Sequence, residues 1–170
     1  PNYPSVYILG NIFKTYLRGY IMIIVITGLP GTGKTTIAKA LAKEIDAIVF
    51  STDKIRKMIF EIPVYNEEDK RMVYNELFFQ AEKYLKMGKN VILDGTFYTK
   101  ALRNRAKEVG ALFSQKVYFV YCKTPEDILK KRIDSRKDKF SDADYNVYLG
   151  MKKIFEDFKE EIIEIDTSNP

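Results

Sequence analysis

The stretch IMIIVITGLPGTGKTTIAKALAKEI, Ile21 to Ile45, decides the fold. It opens on Ile21-Met22-Ile23-Ile24-Val25-Ile26, a continuous apolar and largely β-branched run, as in a strand buried on both faces. It closes on Ile37, Ala38, Leu41, Ala42 and Ile45, apolar at intervals of three and four, an amphipathic helix. Between them Gly28 to Thr35 spell G-x-x-x-x-G-K-[ST]. A glycine-rich strand–helix turn can occur without function. With strand, loop, Lys-Thr and helix in this order, the loop reads as a nest of backbone N–H groups for the β-phosphate of a nucleoside triphosphate. The nucleotide-binding candidates are Gly28, Pro30, Gly31, Thr32, Gly33, Lys34, Thr35 and Thr36. Lys34 would reach the β- and γ-phosphates, the Thr35 hydroxyl would ligate Mg²⁺, and the helix dipole would lie beneath the phosphates.

The chain of 170 residues is long enough for one domain with a single core. Apolar residues make up 46% and charged residues 30%, an ordinary globular balance. No apolar run approaches a membrane span and no secretory signal is evident, so no membrane partner is expected. Cys122 is alone, which rules out an intramolecular disulfide and makes a reducing cytoplasm the default location. It sits in an apolar strand pattern, where a buried inert thiol is expected. There is no histidine, so a general base must be a carboxylate, or less readily Lys, Tyr or Cys. A net charge of +5 suits a polyanionic partner, but a nucleotide enzyme needs cations too.

Working outward, strand and helix patterns alternate, which predicts a three-layer α/β domain with a mostly parallel sheet. Strands are expected near 22–27, 47–51, 90–94, 115–122 and 161–165. Helices are expected near 33–45, 53–60, 67–88, 99–109, 125–136 and 142–158. Thr124-Pro125-Glu126-Asp127 reads as an N-cap, and Gly88 and Gly110 as left-handed C-caps. Tyr65, Tyr74, Phe78 and Phe79 read as packing residues. Residues 1–21 form a leader ahead of a domain over 22–170. In it Ile8, Leu9, Ile12, Phe13, Tyr16 and Leu17 recur at helical spacing. Asp166 to Pro170 reads as a helix start with nothing following. The leader helix is therefore expected to fill the place of a missing last helix, as in a circular permutation; an upstream extension or an expression remnant are the plainer readings.

Three further segments carry candidate chemistry. Asp53, at the carboxyl end of the second strand, is placed to take a proton from an attacking hydroxyl, with Arg56 on its face. The same spacing fits plain capping of a helix by Asp53. Val91-Ile92-Leu93-Asp94-Gly95 is an apolar strand ending in Asp, so Asp94 would hold Mg²⁺ or orient the acceptor; Asp-Gly is also common turn chemistry. Cations between Lys130 and Lys139 suit a lid that closes on phosphates, with Arg132 or Arg136 against the transferring phosphoryl and the lysines solvated. Arg103 and Arg105, early in the helix after Asp94, could contact substrate, but nothing local separates them from solvated residues.

With these motifs in place, GLPGTGKTT, STDKIR, VILDGTF, VYCKTPEDILKKR and SDADYNVY, the chain resembles the small P-loop kinases of the polynucleotide-kinase, zeta-toxin and seryl-tRNA kinase type, from Met22 to Pro170. It looks most like their uncharacterised AAA-type ATPase branch. The resemblance implies a five-stranded parallel sheet in the order 2-3-1-4-5, with ATP and Mg²⁺ as cofactors. It also implies an acid at Asp53 as general base, an arginine at Arg56 holding the acceptor, arginines near 132 and 136 closing over ATP, and the 166–170 loop near adenine. The expected function is transfer of the γ-phosphate to a hydroxyl acceptor, leaning toward nucleic acid or nucleotide over a small metabolite. A regulatory ATPase without an acceptor is the alternative, and oligomeric state stays open.

Overall fold

The computed structural model describes residues 3–135 and 145–169. The chain forms α1 (Pro4–Tyr16), β1 (Ile23–Thr27), α2 (Lys34–Ile45), β2 (Ala47–Ser51), α3 (Thr52–Ile59) and α4 (Glu67–Lys86), followed by β3 (Asn90–Asp94), α5 (Lys100–Leu112), β4 (Val117–Lys123), α6 (Glu126–Ser135), α7 (Tyr145–Ile154) and β5 (Ile162–Asp166). The five strands make one sheet in the order β2-β3-β1-β4-β5, every pairing parallel. Ile23 stands level with Val91 on one side and Val117 on the other, so β1 is central.

The alternation of side chains along β1 explains the three layers. Ile23 and Val25 point into a core with Ile55 of α3, Val73 and Leu77 of α4 and Ala106 of α5. Ile24 and Ile26 point the other way, into a core with Ile37 and Leu41 of α2 and Val6, Leu9 and Phe13 of α1. All five residues of β1 are buried.

Helix α1 lies beside α2. The Phe13 ring meets Tyr118 of β4 edge-on at 5.2 Å, Lys14 pairs with Glu44 at 2.9 Å, and a Cβ on Gly10 would stand 2.6 Å from Glu44 Cβ. Leu9 and Phe13 face inward as the spacing suggests, but Ile8, Ile12 and Tyr16 are exposed. The apolar stripe is wider than the groove, and only the flank bearing Val6, Leu9, Gly10 and Phe13 fits it.

Three elements differ from the sequence expectation, each for a physical reason. Helix α7 ends at Ile154 rather than running on to 158, because Arg103 takes the carbonyls of Glu156 and Asp157 at 3.0 and 2.9 Å. Gly110 lies inside α5 and is no C-cap. A Cβ there would come within 2.6 Å of Val117 Cγ2 and 2.7 Å of the Gln115 carbonyl, so close approach of the chain demands glycine. The Thr124 hydroxyl does not cap α6 but turns to Thr167. Gly88 does take the left-handed φ of 75° expected past α4.

Gly110→Ala is expected to destabilise the fold by about 1–3 kcal/mol through this crowding, despite better helix propensity. Gly150→Ala, in α7 with open space around it, is expected to stabilise by about 0.5–1 kcal/mol. Urea unfolding of both variants checks the pair; a stabilised Gly110→Ala would refute the crowding.

Candidate active site

All five strands run the same way, so their carboxyl ends share one edge, where α/β folds bind ligands. The Gly28–Thr35 loop leaves β1 at that edge. Gly28, Gly31 and Gly33 take φ of 148°, 85° and 81°, conformations that side chains resist. A Cβ on Gly28 would also stand 2.6 Å from the Cys122 carbonyl. Helix α2 begins right after Gly33 with no acidic residue in its first turn, leaving the positive dipole end clear. Thr36 is half-buried in that turn. The Leu29 carbonyl accepts from Lys34 Nζ at 2.9 Å and from the Thr32 hydroxyl at 2.7 Å. Pro30 is half-buried in the loop. Leu29 packs with Leu129, Ile133 and Tyr148, linking the loop to α6 and α7.

Asp94 ends β3 and is 2% exposed. Its carboxylate accepts the Thr35 hydroxyl at 2.7 Å. Burial pushes its pKa above the usual carboxylate range, while the Lys34 charge and the Thr35 hydrogen bond pull it back. A hydroxyl and a carboxylate side by side at the foot of a phosphate nest are hard oxygen donors. They fit Mg²⁺, which keeps several waters and takes one or two protein oxygens besides substrate phosphates. Among the described residues no cluster of three or more acidic, Cys or His ligands exists.

Asp53 lies in the first turn of α3 and caps nothing: the residue at the cap position is Ser51, whose side chain makes no capping bond. The Asp53 side chain is 63% exposed and pairs with Arg56 Nη1 at 3.1 Å, and Arg56 is 11% exposed. Asp53 is close enough for its charge to raise the Asp94 pKa. The structure thus gathers Lys34, Thr35, Asp94, Asp53 and Arg56 at one edge.

Arg132, on α6, is held by backbone carbonyls. Its guanidinium donates to the carbonyls of Thr167 and Ser168, tying α6 to the loop after β5. Arg136, and the 141–144 part of the SDADYNVY segment, lie outside the described residues.

Three residues brace the site in roles that sequence alone did not show. Thr167, fully buried, donates its hydroxyl to the Thr32 carbonyl at 2.6 Å, across 135 positions. Arg103, also fully buried, donates to the Phe97 carbonyl at 2.8 Å and pairs with Glu160 at 3.1 Å. Its guanidinium lies 4.7 Å from the Phe158 ring centre, so it is a structural tie and not a solvated or substrate-facing group. The Tyr74 hydroxyl accepts the Phe97 N–H at 3.1 Å, and burial pushes its pKa up to about 12. Together with Thr27, whose hydroxyl donates to the Thr96 carbonyl at 2.6 Å, these contacts fix the loop after Asp94. Of the four aromatics read as packing, Tyr74 and Phe78 are buried, whereas Phe79 and Tyr65 are exposed. Cys122 is buried and its pKa is pushed up to about 12 by burial, an unreactive thiol.

This parallel sheet with a phosphate nest on its first strand and a buried Asp on the neighbouring one is a P-loop nucleotide-binding fold of the small-kinase type. The chain belongs to the AAA domain family, which matches residues 23–158. An uncharacterised protein of Mycobacterium tuberculosis is 30% identical over 135 residues, 72% of this chain and 27% of that protein. The chain thus spans about a quarter of that relative's length. The L-seryl-tRNA(Sec) kinase of Methanococcus maripaludis is 30% identical over 69% of this chain and 47% of its own. A shikimate kinase of Bacillus cereus is 32% identical over 86% of this chain and 88% of its own. Among solved structures, a sugar kinase from Janibacter superposes with a TM-score of 0.68 at 19% identity, covering 88% of this chain and 87% of that one. The APS kinase CysC of Mycobacterium tuberculosis, in complex with AMPPNP and APS, gives 0.65 at 18%, covering 86% and 88%. Among the described residues no helix is long and apolar enough to cross a membrane.

Asp94→Asn keeps the shape and the Thr35 hydrogen bond while removing a desolvated charge. It is expected to raise the melting temperature of the ligand-free protein by roughly 2–4 °C, the value of about 1 kcal/mol at this size. The parent chain is expected to gain a further rise with Mg²⁺ and ADP, and Asp94→Asn to lose it. Thermal scans with and without Mg·ADP check this; an Asn variant that still responds to Mg²⁺ would remove Asp94 from the metal site.

Proposed function

We propose that this chain transfers the γ-phosphoryl group of ATP to a hydroxyl of a second substrate. The observation that carries the reading is the Asp53–Arg56 pair, open to solvent on its carboxylate side and standing at the same sheet edge as the phosphate loop and Asp94. An ATPase that works by shape change has no need of a base for an acceptor.

In this reading Lys34 exchanges the Leu29 carbonyl for the phosphates and neutralises charge as it builds on the transferring group. Thr35 and Asp94 hold Mg²⁺, which when bound screens the β- and γ-phosphates. Asp53 accepts the proton of the acceptor hydroxyl as its oxygen bonds to the γ-phosphorus. The bond from that phosphorus to the β–γ bridging oxygen breaks, and ADP leaves. Arg56 holds the acceptor against Asp53. Arg132 braces the loop at 167–169 from α6, so its contribution to catalysis is indirect and falls on the nucleotide side. Arg136 keeps the role expected from sequence, as a cation for the transferring phosphoryl.

The acceptor is read as a small hydroxyl compound, a change from the lean that net charge suggested. Nucleic-acid backbones select an unbalanced basic surface. Here Arg56, Lys70 and Arg71 are each matched by a carboxylate three residues earlier, Asp53, Glu67 and Glu68. The shikimate kinase relative, which acts on a small hydroxyl compound, points the same way. The seryl-tRNA(Sec) relative keeps RNA as the comparison to test.

The test follows γ-labelled ATP with Mg²⁺ against a metabolite extract, total tRNA and 5′-hydroxyl oligonucleotides. Label is expected on small compounds. Asp53→Asn is expected to lower transfer by roughly 10²–10⁴-fold with nucleotide binding retained, and Lys34→Ala to abolish it. Label confined to inorganic phosphate and unchanged by Asp53→Asn would favour the regulatory ATPase; label on tRNA would restore the nucleic-acid acceptor.

A further inference from the structure

Tyr65 carries a φ of 61°, a backbone state that a bulky residue keeps only when something holds it. The holder is Asp69, a buried carboxylate on the first turn of α4. One of its oxygens accepts the Val64 N–H at 2.9 Å and the Tyr65 N–H at 3.1 Å. Asn66 completes the turn by accepting the Asp69 N–H at 2.8 Å. The turn lays the Tyr65 ring over Arg56, with the guanidinium carbon 4.9 Å from the ring centre. Asp53 holds the same guanidinium by Nη1, and Arg56 Nε is buried with no hydrogen-bond partner among the described residues. A planar fork with one edge on a carboxylate and one face on a ring has little freedom left.

We infer that Tyr65, set in place by Asp69, is a positioning residue for the phosphoryl acceptor: it holds Arg56 flat and in register with Asp53, so that base and acceptor-binding cation keep a fixed separation. The inference rests on the kinase reading of this site. It also accounts for an exposed aromatic in a strained turn, where packing alone would favour neither the exposure nor the φ.

Tyr65→Gly is the informative variant, because glycine accepts this φ without strain and loss of the ring is then not confused with misfolding. Tyr65→Phe keeps the ring, and Asp69→Ala removes the holder. Two readouts are taken. The first is the exchange rate of the Arg56 Nε–H by NMR on arginine-labelled protein, with Arg56→Lys assigning the signal. The second is transfer from γ-labelled ATP into a titrated metabolite extract, compared with the KM for ATP.

Tyr65→Gly is expected to speed Nε–H exchange and to raise the extract needed for half-maximal transfer, each by roughly tenfold, the weight of a desolvated cation–π contact. The KM for ATP is expected to stay put, and Tyr65→Phe to behave as the parent. Asp69→Ala is expected to match Tyr65→Gly, and the double variant to add nothing, since the two act in series. Unchanged exchange in Tyr65→Gly, or an unchanged extract dependence, would overturn the inference. Should the parent chain label no acceptor at all, the kinase reading fails, and Nε–H exchange alone then supports or overturns the clamp on Arg56.

Discussion

The burial of β1 on both faces is the constraint on which the rest depends. A five-residue strand with no polar side chain before Thr27 must be covered by helices front and back and paired on both edges. Parallel pairing on both edges forces crossover connections, and the crossovers supply α3, α4 and α5 on one face with α2 on the other. Once the strands are parallel, every strand end that carries chemistry arrives at one edge. Thr27, Ser51 and Asp94 become neighbours although they are far apart in the chain: Ser51 stands level with Asp94 in the β2–β3 register, and Ile26 does so in β1. The site is a consequence of direction, with no separate device needed to assemble it.

Holding that edge to catalytic tolerance needs polar ties, because loops lack the packing that fixes strands. Two ties stand out. Arg103 joins the loop after Asp94 to the 156–160 connection, spending its donors on carbonyls and on Glu160 beside two phenylalanine rings. A buried guanidinium is costly unless nearly every donor is satisfied, and here the carbonyls of an irregular segment satisfy it. Thr167 does the same at the other end, joining the β5 exit to the Thr32 carbonyl and to Thr124. Both ties cross the sheet edge, so the phosphate loop is clamped from the side of α6 while the loop after Asp94 is clamped from the side of α5.

What could be read from sequence divides along this same line. The strand, loop and helix of Ile21–Ile45 were legible because period and composition are local, and Asp94 was legible because an apolar run ended in an acid. The strand order was implied by the family resemblance, since no local signal encodes which strand neighbours which. Arg103 looked like any helix-surface arginine, because most of its partners lie more than fifty residues on. Thr167 was illegible for the same reason. The end of α7 was misjudged because the carbonyls that leave the helix are claimed by Arg103, and helical period cannot show that claim. Tyr65 was read as packing because nothing in a one-dimensional pattern reports a left-handed turn held by a carboxylate four residues ahead.

The site is tense in a directed way. Asp94 is desolvated beside the charge of Asp53, Arg56 Nε is buried with no hydrogen-bond partner among the described residues, and Lys34 donates to a backbone carbonyl. Each is unfavourable or weak by itself, and each is of the kind that a phosphate, a divalent cation or an acceptor oxygen would relieve. Among the described residues, Tyr65 and Phe97 are two of the four non-glycine residues with positive φ, and both flank this same edge, on the α3–α4 turn and in the loop after Asp94. Strain gathered where charges converge, and fixed by buried polar ties behind it, is how a fold keeps a reacting geometry ready before its substrates arrive.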